Sequence, residues 1–372
     1  MPFKIEPPAR SRAIIGSCVA TLAIILVAGL WPFHSPRNDV RWLTDEEGIR
    51  LGRHGYVLSS AAFRAHESRE DTSGSLELWI KPARGTKGRR TILAFEGPGD
   101  DSTAISLQQN GSTLIIQRKN SDENGVFHTA EFVIREALAD DSRVGITITL
   151  GPQDTNVYRN GVLAATSRLI GQSTPAFAGR AVLGNFLNVG GAWPGQFYGC
   201  AIYGNKLTAE DVALHYEDWN NSRRPTMTQE EHPLALYLFT EHTGRIVHDS
   251  LGSRTNLIVP ERYSVLHPEF LSVPWRHFHS TPGYWEDITF NILGFVPFGL
   301  SFFAYFSTVR ATKNAALLVV LLGFFTSLTI EVLQAWLPTR NSGMNDLITN
   351  TFGTGIGVLL YRSRLIRTIL DK

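Results

Sequence analysis

Long uncharged stretches of apolar residues at both ends of the chain constrain its fold more than any other feature. The first covers residues 13–31 and follows the basic residues Lys4, Arg10 and Arg12. A helix rises about 1.5 Å per residue, so roughly 20 apolar residues span the ~30 Å hydrocarbon core of a membrane. A signal peptide also has a basic start, but this stretch is longer than a signal core and ends at Trp31-Pro32 instead of a cleavage site. We therefore predict an uncleaved transmembrane anchor at residues 13–33.

Three more spans are predicted near the C-terminus. Residues 288–306 and 347–361 carry no charge, and residues 315–337 carry one, at Glu331. Basic residues follow the second and fourth spans, at Arg310, Lys313, Arg362, Arg364, Arg367 and Lys372. The positive-inside rule then places both termini in the cytoplasm and the region between the first and second spans outside it. The sequence thus predicts four spans in a cytoplasmic membrane, with the lipid bilayer as a partner.

The overall charge argues against a nucleic-acid partner. The chain has 372 residues, with 35 Lys and Arg against 34 Asp and Glu, and this balance lacks the basic surplus that neutralises phosphates. The segregated apolar stretches exclude a disordered chain and a wholly soluble enzyme. Cys18 and Cys200 lie in different predicted regions, so we expect neither a disulfide framework nor a cysteine-based metal site.

The region between the first and second spans has the pattern of short β-strands. Apolar and polar residues alternate at residues 75–80, 104–108 and 144–150. Asn-Gly pairs at 110–111 and 160–161 are typical of tight hairpin turns. Alternating strands joined by such turns predict an antiparallel β-sandwich.

This region also resembles a known family of sandwiches. The sequences LWIKP at 78–82, VYRNG at 157–161 and GQFYGCAIY at 195–203, with LTAED at 207–211, are similar to laminin-G-like, concanavalin-A-type jelly rolls. The resemblance covers about residues 40–222. It implies a module that binds carbohydrate or protein, without naming the ligand.

Two local features are candidate ligand sites within this module. Asp100-Asp101-Ser102 offers oxygen ligands for calcium, although a solvated loop has the same composition. Trp193, beside Gly190-Gly191, is a candidate platform for a sugar ring, with a buried core residue as the alternative. We expect no other cofactor.

Polar residues inside the C-terminal spans are the main candidate site, because ionisable groups are costly in hydrocarbon. They form pairs separated by three or four residues, which places each pair on one helix face. The pairs are Asp287 with Asn291, Glu331 with Gln334, and Asp346 with Asn350. All lie near the outer ends of their spans, so we expect one polar layer under the outer membrane surface, with Arg340 as a charge partner. On the last span, Gly353 and Gly357 form a small-residue face for close helix packing.

The same residues carry a second resemblance. DITFNILGFVPFG at 287–299, EVLQ at 331–334, PTR at 338–340 and DLITNTFG at 346–353 are similar to the VanZ-like family. This resemblance implies a bacterial inner-membrane protein with a role in the cell envelope, in exopolysaccharide processes or in tolerance of glycopeptide antibiotics. It implies no particular biochemical activity.

These features divide the chain into six segments. They are a cytoplasmic N-terminus at 1–12, the anchor at 13–33, the jelly roll at 40–222, a linker or extra strand at 223–286, a three-helix VanZ-like domain at 287–362, and a cytoplasmic tail at 363–372.

Three interpretations of the membrane polar residues stay open. They either hold helices together by hydrogen bonds, bind a lipid-linked or cell-wall headgroup, or act on a lipid-linked substrate with Glu331 and Asp346 as an acid/base pair. The sequence contains no nucleophile with an adjacent base, metal motif or nucleotide loop, which favours a non-enzymatic protein. Four spans leave little room for a transport pathway. The leading hypothesis is an envelope membrane protein whose external module binds a glycan or an envelope protein.

Overall fold

A computed structural model describes residues 9–63, 73–85, 88–96, 103–121, 127–139, 142–168, 177–185, 192–222, 224–264, 270–273, 282–337 and 342–363. The chain forms two compact units. One contains residues 1–35 and 268–372, and the other contains residues 36–267. The first begins with helix α1 (Ala9–Leu30).

The second unit is a β-sandwich. Its strands are β1 (Val40–Trp42), β2 (Ile49–Leu51), β3 (Val57–Ser59), β4 (Gly74–Lys81), β5 (Arg90–Glu96), β6 (Thr103–Asn110), β7 (Thr113–Ser121), β8 (Phe127–Ile134), β9 (Val144–Leu150), β10 (Thr155–Arg159), β11 (Val162–Ser167), β12 (Arg180–Leu183), β13 (Gln196–Tyr203), β14 (Pro233–Tyr237), β15 (Ile246–Val247) and β16 (Leu257–Ile258). The first sheet has the order β1-β2-β13-β4-β9-β10-β11, and β14 also pairs with β13. The second has the order β15-β16-β3-β12-β5-β6-β7-β8. The predicted antiparallel sandwich is confirmed.

The core of the sandwich lies between the inner faces of the two sheets. Leu76 and Leu78 of β4 belong to the same buried apolar cluster as Ile105 and Leu107 of β6. The hairpin turn predicted at Asn160-Gly161 is present, with φ angles of 51° for Asn160 and 76° for Gly161. Two successive positive φ angles are what a type I′ turn requires, and Asn-Gly adopts them readily.

Two parts of this unit were not settled by the strand pattern at residues 40–222. Helix α2 (Ala209–Ser222) packs Val212 and Trp219 onto the outer face of the first sheet. The amide of Asp211 donates to Thr208 Oγ1 at 3.2 Å, and the amide of Thr208 donates to Asp211 Oδ2 at 2.9 Å, which caps the helix reciprocally. After α2, the strands β14 to β16 extend both sheets, so residues 233–258 are part of the sandwich and not a free tether.

The first unit is helical. After α1 it contains α3 (Pro282–Ala304), which continues as a π-helical turn at Tyr305–Val309, then α4 (Ala315–Gln334) and α5 (Met344–Arg362). In the described part of the chain, three helices are long and apolar enough to cross a membrane: Ala9–Leu30, Tyr284–Val309 and Ala315–Gln334. Helix α5 is not one of them, so the count of four spans stays a prediction.

The helices of this unit pack closely on one another. A Cβ atom on Gly353 of α5 would lie 2.2 Å from the backbone oxygen of Ile292 in α3, which explains the small residue. Ile25 of α1 shares an apolar cluster with Phe295 and Phe298 of α3 and Ile330 of α4. Helix α1 therefore packs against α3 and α4 as a member of the helical bundle.

Candidate functional site

Glu331 is buried near the end of α4. Its side chain is 1% exposed, and its Oε2 accepts a hydrogen bond from the backbone amide of Gly343 at 2.8 Å. Gly343 is the N-cap residue of α5, so the carboxylate meets the positive end of that helix. The loop before α5 is fixed by Ser272, whose backbone donates to Ser342 at 3.1 Å and accepts from Met344 at 3.0 Å. Arg340, the charge partner expected from sequence, lies outside the described residues.

A second contact joins α3 to α5. Asn291 Nδ2 donates to Asp346 Oδ1 at 2.8 Å, and both side chains are half-buried. Asp287, one turn earlier on α3, is exposed, and the described structure does not bring it into this pair. Asn291 of α3 and Asp346 of α5 thus meet as predicted, whereas Asp287 is exposed and stands apart from this pair in the described structure.

Two further amide side chains, on α4 and α5, are buried in the bundle. Asn350 Nδ2 donates to Ser327 Oγ at 3.0 Å, and Gln334 Nε2 donates to the backbone oxygen of Gly29 at 2.7 Å. Both amide side chains are buried, with exposures of 5% and 7%. Their oxygens, Asn350 Oδ1 and Gln334 Oε1, have no hydrogen-bond partner among the described residues.

We call this set the polar cluster. Its members are Asn291, Ser327, Glu331, Gln334, Asp346 and Asn350. The predicted spacing explains the α4 members, because positions 327, 331 and 334 follow one helix face. Sequence reasoning missed Ser327 and the backbone groups of Gly29 and Gly343. Ser327 was detectable as a polar residue four positions before Glu331, but the backbone partners had no sequence signal.

The polar cluster presents more acceptors than donors. It contains the carboxylates of Glu331 and Asp346 and two amide oxygens that have no partner among the described residues. Its three amide nitrogens, those of Asn291, Gln334 and Asn350, already donate hydrogen bonds. A group that brings hydroxyl or amine hydrogens would complement it. Among the described residues, no group of three or more His, Cys, Asp or Glu side chains is placed to hold a metal ion. The calcium candidate Asp100-Asp101-Ser102 falls outside those residues.

The structure corrects the role considered for Trp193 as a sugar platform. The ring is 0% exposed and packs edge-on against Phe197 at 5.2 Å between ring centroids. Its Nε1 donates to Gln109 Oε1 at 2.5 Å. A ring held inside the core offers no face to a sugar, so Trp193 has the alternative role of a core residue.

A different polar surface lies on the outer face of the second sheet. Gln108 Nε2 donates to Gln117 Oε1 at 2.7 Å, and Gln117 Nε2 donates to Glu131 Oε1 at 2.5 Å. The Arg89 guanidinium closes the series with hydrogen bonds of 2.7 and 3.0 Å to Glu131. The hydrogen bonds from Arg89 and Gln117 lower the pKa of Glu131, and the bond from Arg89 has the larger effect. We call these four residues the polar ladder. Val133, two positions beyond Glu131, is 48% exposed on the same face.

Comparison with known families identifies two regions. Residues 234–367 match the VanZ/LLP1 family model, and residues 52–213 match the model of the concanavalin A-like lectin/glucanase superfamily. The VanZ match begins within β14, so it includes the last strands of the sandwich as well as the helices. No curated protein matches the chain.

Solved structures similar to the chain include receptor-binding domains of botulinum neurotoxins. The type G domain is 16% identical over 49% of this chain and 45% of that chain, with a TM-score of 0.35. The C/D mosaic domain is 16% identical over 57% and 59%, with a TM-score of 0.39. The chain thus spans about half the length of these domains, and scores this low support no functional argument.

Proposed function

The chain is a membrane protein that joins a VanZ-like domain to a concanavalin-A-like sandwich, and on this premise we propose that it binds glycan-bearing components of the bacterial cell envelope. In this proposal α5 is the fourth span, and the sandwich is displayed outside the cytoplasm from the inner membrane. The positions of Arg310 and Lys313 between α3 and α4, and of Arg362 at the end of α5, support this orientation.

The membrane part of the proposal concerns the polar cluster, which would bind the headgroup of a lipid-linked envelope component. The observation that carries it is the pair of buried oxygens, Asn350 Oδ1 and Gln334 Oε1, that lack a donor within the part of the chain that the structure describes. A buried acceptor without a donor costs about 1–3 kcal/mol. A saccharide headgroup carries many hydroxyl donors and would offset that cost. The same acceptors, with Glu331 and Asp346, disfavour the phosphate of such a lipid, so the part proposed to bind here is the saccharide.

Binding of a polyprenyl-linked saccharide to the purified full-length protein in nanodiscs tests this part. Asn350→Leu and Gln334→Leu each remove one unpartnered oxygen, and we expect each to weaken binding about tenfold, from the cost of one lost charge-neutral hydrogen bond in a buried site. Asp287→Asn changes an exposed residue of α3 and serves as the control. Equal binding by all variants, with normal folding, would leave the polar cluster with a purely structural role.

The external part of the proposal concerns the polar ladder. Sugars are bound by planar amide and carboxylate groups beside an apolar surface, and Gln117, Glu131 and the exposed Val133 provide this combination. A glycan array probed with the full-length protein tests it. The double variant Gln117→Ala, Glu131→Ala should lose glycan signal, and Thr166→Ala on β11 of the first sheet should keep it. An array negative for the unmodified protein would make the sandwich a protein-contact or spacer domain.

A further inference from the structure

A cavity lies at the end of the helical bundle opposite the polar cluster. Its volume is about 480 Å³, and its wall comes from α1, α3 and α5. It lies beside the first half of α1, whereas Gln334 contacts Gly29 at the other end of that helix. Tyr361, in the last turn of α5, lines it, whereas Asp346 and Asn350 of the polar cluster lie in the first turns of that helix. The cavity is therefore a separate feature of the bundle.

The wall of the cavity is amphipathic. Ala13, Ile14 and Leu300 supply apolar surface, and Ser17, Thr21 and Ser301 supply hydroxyl groups. Of the described residues in the wall, Arg10 at the start of α1 carries a charge. A second cation is close to this end of the bundle, because the Arg362 guanidinium lies 5.7 Å from the ring centroid of Phe303 in α3.

We propose that this cavity binds one acyl chain of an anionic lipid, whose headgroup is held by Arg10. The size fits a small-molecule site, which is typically 300–1,000 Å³. It does not fit another helix, which is about 10–12 Å across with its side chains. Basic pockets between transmembrane helices bind anionic headgroups, and near a membrane surface each Arg contributes about 1 kcal/mol to that attraction. This site is independent of the headgroup site proposed for the polar cluster.

Photo-crosslinking in nanodiscs tests the proposal with the full-length protein. The probes are phosphatidylglycerol and phosphatidylcholine, each with a diazirine in one acyl chain, and the labelled residues are mapped by mass spectrometry. We expect phosphatidylglycerol to label α1 and α3 around the cavity more strongly than phosphatidylcholine. Arg10→Gln should reduce this labelling about fivefold, the equivalent of 1 kcal/mol. Arg12→Gln, two residues away and not in the wall, is the matched control and should leave it unchanged.

Two further arms complete the design. Ala13→Leu fills part of the cavity and should reduce labelling by both lipids, and size-exclusion profiles verify that each variant is folded. Competition by oleate or by unlabelled phosphatidylglycerol tells whether the anionic occupant is a free fatty acid or a phospholipid. Equal labelling by the two phospholipids, or equal effects of Arg10→Gln and Arg12→Gln, would overturn the proposal. Asn350→Leu should not alter this labelling, which separates it from the polar-cluster experiment.

Discussion

His215 Nδ1 lies 3.1 Å from Glu77 Oε1 in the buried contact between α2 and β4. On the other side of the ring, Nε2 is 3.6 Å from Glu231 Oε2. Glu77 also accepts hydrogen bonds from Tyr203 Oη at 2.8 Å and Trp219 Nε1 at 3.3 Å. The helix is therefore attached to the first sheet by a buried polar network as well as by apolar packing.

This network predicts a pH dependence of stability. Burial by itself lowers the pKa of His215. The hydrogen bond to Glu77 and the charges of Glu77 and Glu231 raise it by more than burial lowers it, so the pKa lies above its usual value of 6.5. A raised pKa means that the protonated ring stabilises the folded state. That contribution is complete below about pH 6.5, the unfolded value, and is lost as pH rises through the folded value. We expect the Tm of the sandwich, followed by tryptophan fluorescence, to fall as pH rises above about 6.5.

Replacing the ring tests the assignment. His215→Gln should lower the Tm at pH 6 and remove most of the fall at higher pH. His248→Gln is the control and should leave the pH dependence of the Tm unchanged. The Nδ1 atom of His248 also lies near a carboxylate, at 3.2 Å from Glu241 Oε1, but its side chain is 68% exposed. If His215→Gln kept the slope of the unmodified protein, the pH dependence would have another origin.

The burial of Trp193 predicts a role in stability instead of sugar binding. Trp193→Ala leaves a large cavity beside Phe197 and removes the donor to Gln109, and it should lower the free energy of unfolding by about 3–5 kcal/mol. Trp42 donates its Nε1 to Gly244 at 3.0 Å and is only half-buried at the edge of the same core, so Trp42→Ala should cost less. Denaturant titration of both variants measures the difference. Unchanged stability with loss of glycan binding would restore the platform role.

The contact between Asn291 and Asp346 predicts a moderate effect on the bundle. Asn291→Leu removes the donor at 2.8 Å and should lower the stability of the detergent-solubilised protein by about 0.6–2 kcal/mol, the range for interhelical hydrogen bonds in membranes. Glu286→Gln, at an exposed site on the same helix, should change nothing. Thermal unfolding in detergent distinguishes them, and equal melting curves would show that this bond adds no net stability.

Local pattern was enough to predict the longer strands and which polar residues share a helix face, but not the groups that those residues contact. The alternation at residues 75–80 and the turn at Asn160-Gly161 are local features, and the structure has both. Glu331 meets a backbone amide, that of Gly343, and such a contact depends on how two helices cross. No side-chain pattern records it.

Burial and short strands were equally hard to predict. The glycines beside Trp193 left two roles open, a sugar platform and a core residue, because its burial depends on strands far away in the sequence, such as the one that carries Gln109. The two-residue strands β15 and β16 are too short to show a period of two, so the sequence left residues 223–286 undecided between a strand and a linker.

The close contact of α3 with α5 predicts that two glycines of α5 are replaceable only at a cost. A Cβ atom would lie 2.2 Å from the backbone oxygen of Ile292 for Gly353, and 2.2 Å from that of Val296 for Gly357. Since backbone atoms cannot move aside as a flexible side chain does, Gly353→Ala and Gly357→Ala should separate the helices and destabilise the bundle by about 1–3 kcal/mol. Gly355 lies on the same helix, and a Cβ atom there would meet no described atom within 4 Å, so Gly355→Ala is the matched control and should be neutral or slightly stabilising. Size-exclusion chromatography after heating in detergent measures the effect, and equal retention of the three variants would contradict the observed packing.

The same displacement would move Asp346 and Asn350 away from α3 and α4. We therefore also expect Gly353→Ala to weaken the binding of any ligand held by the polar cluster.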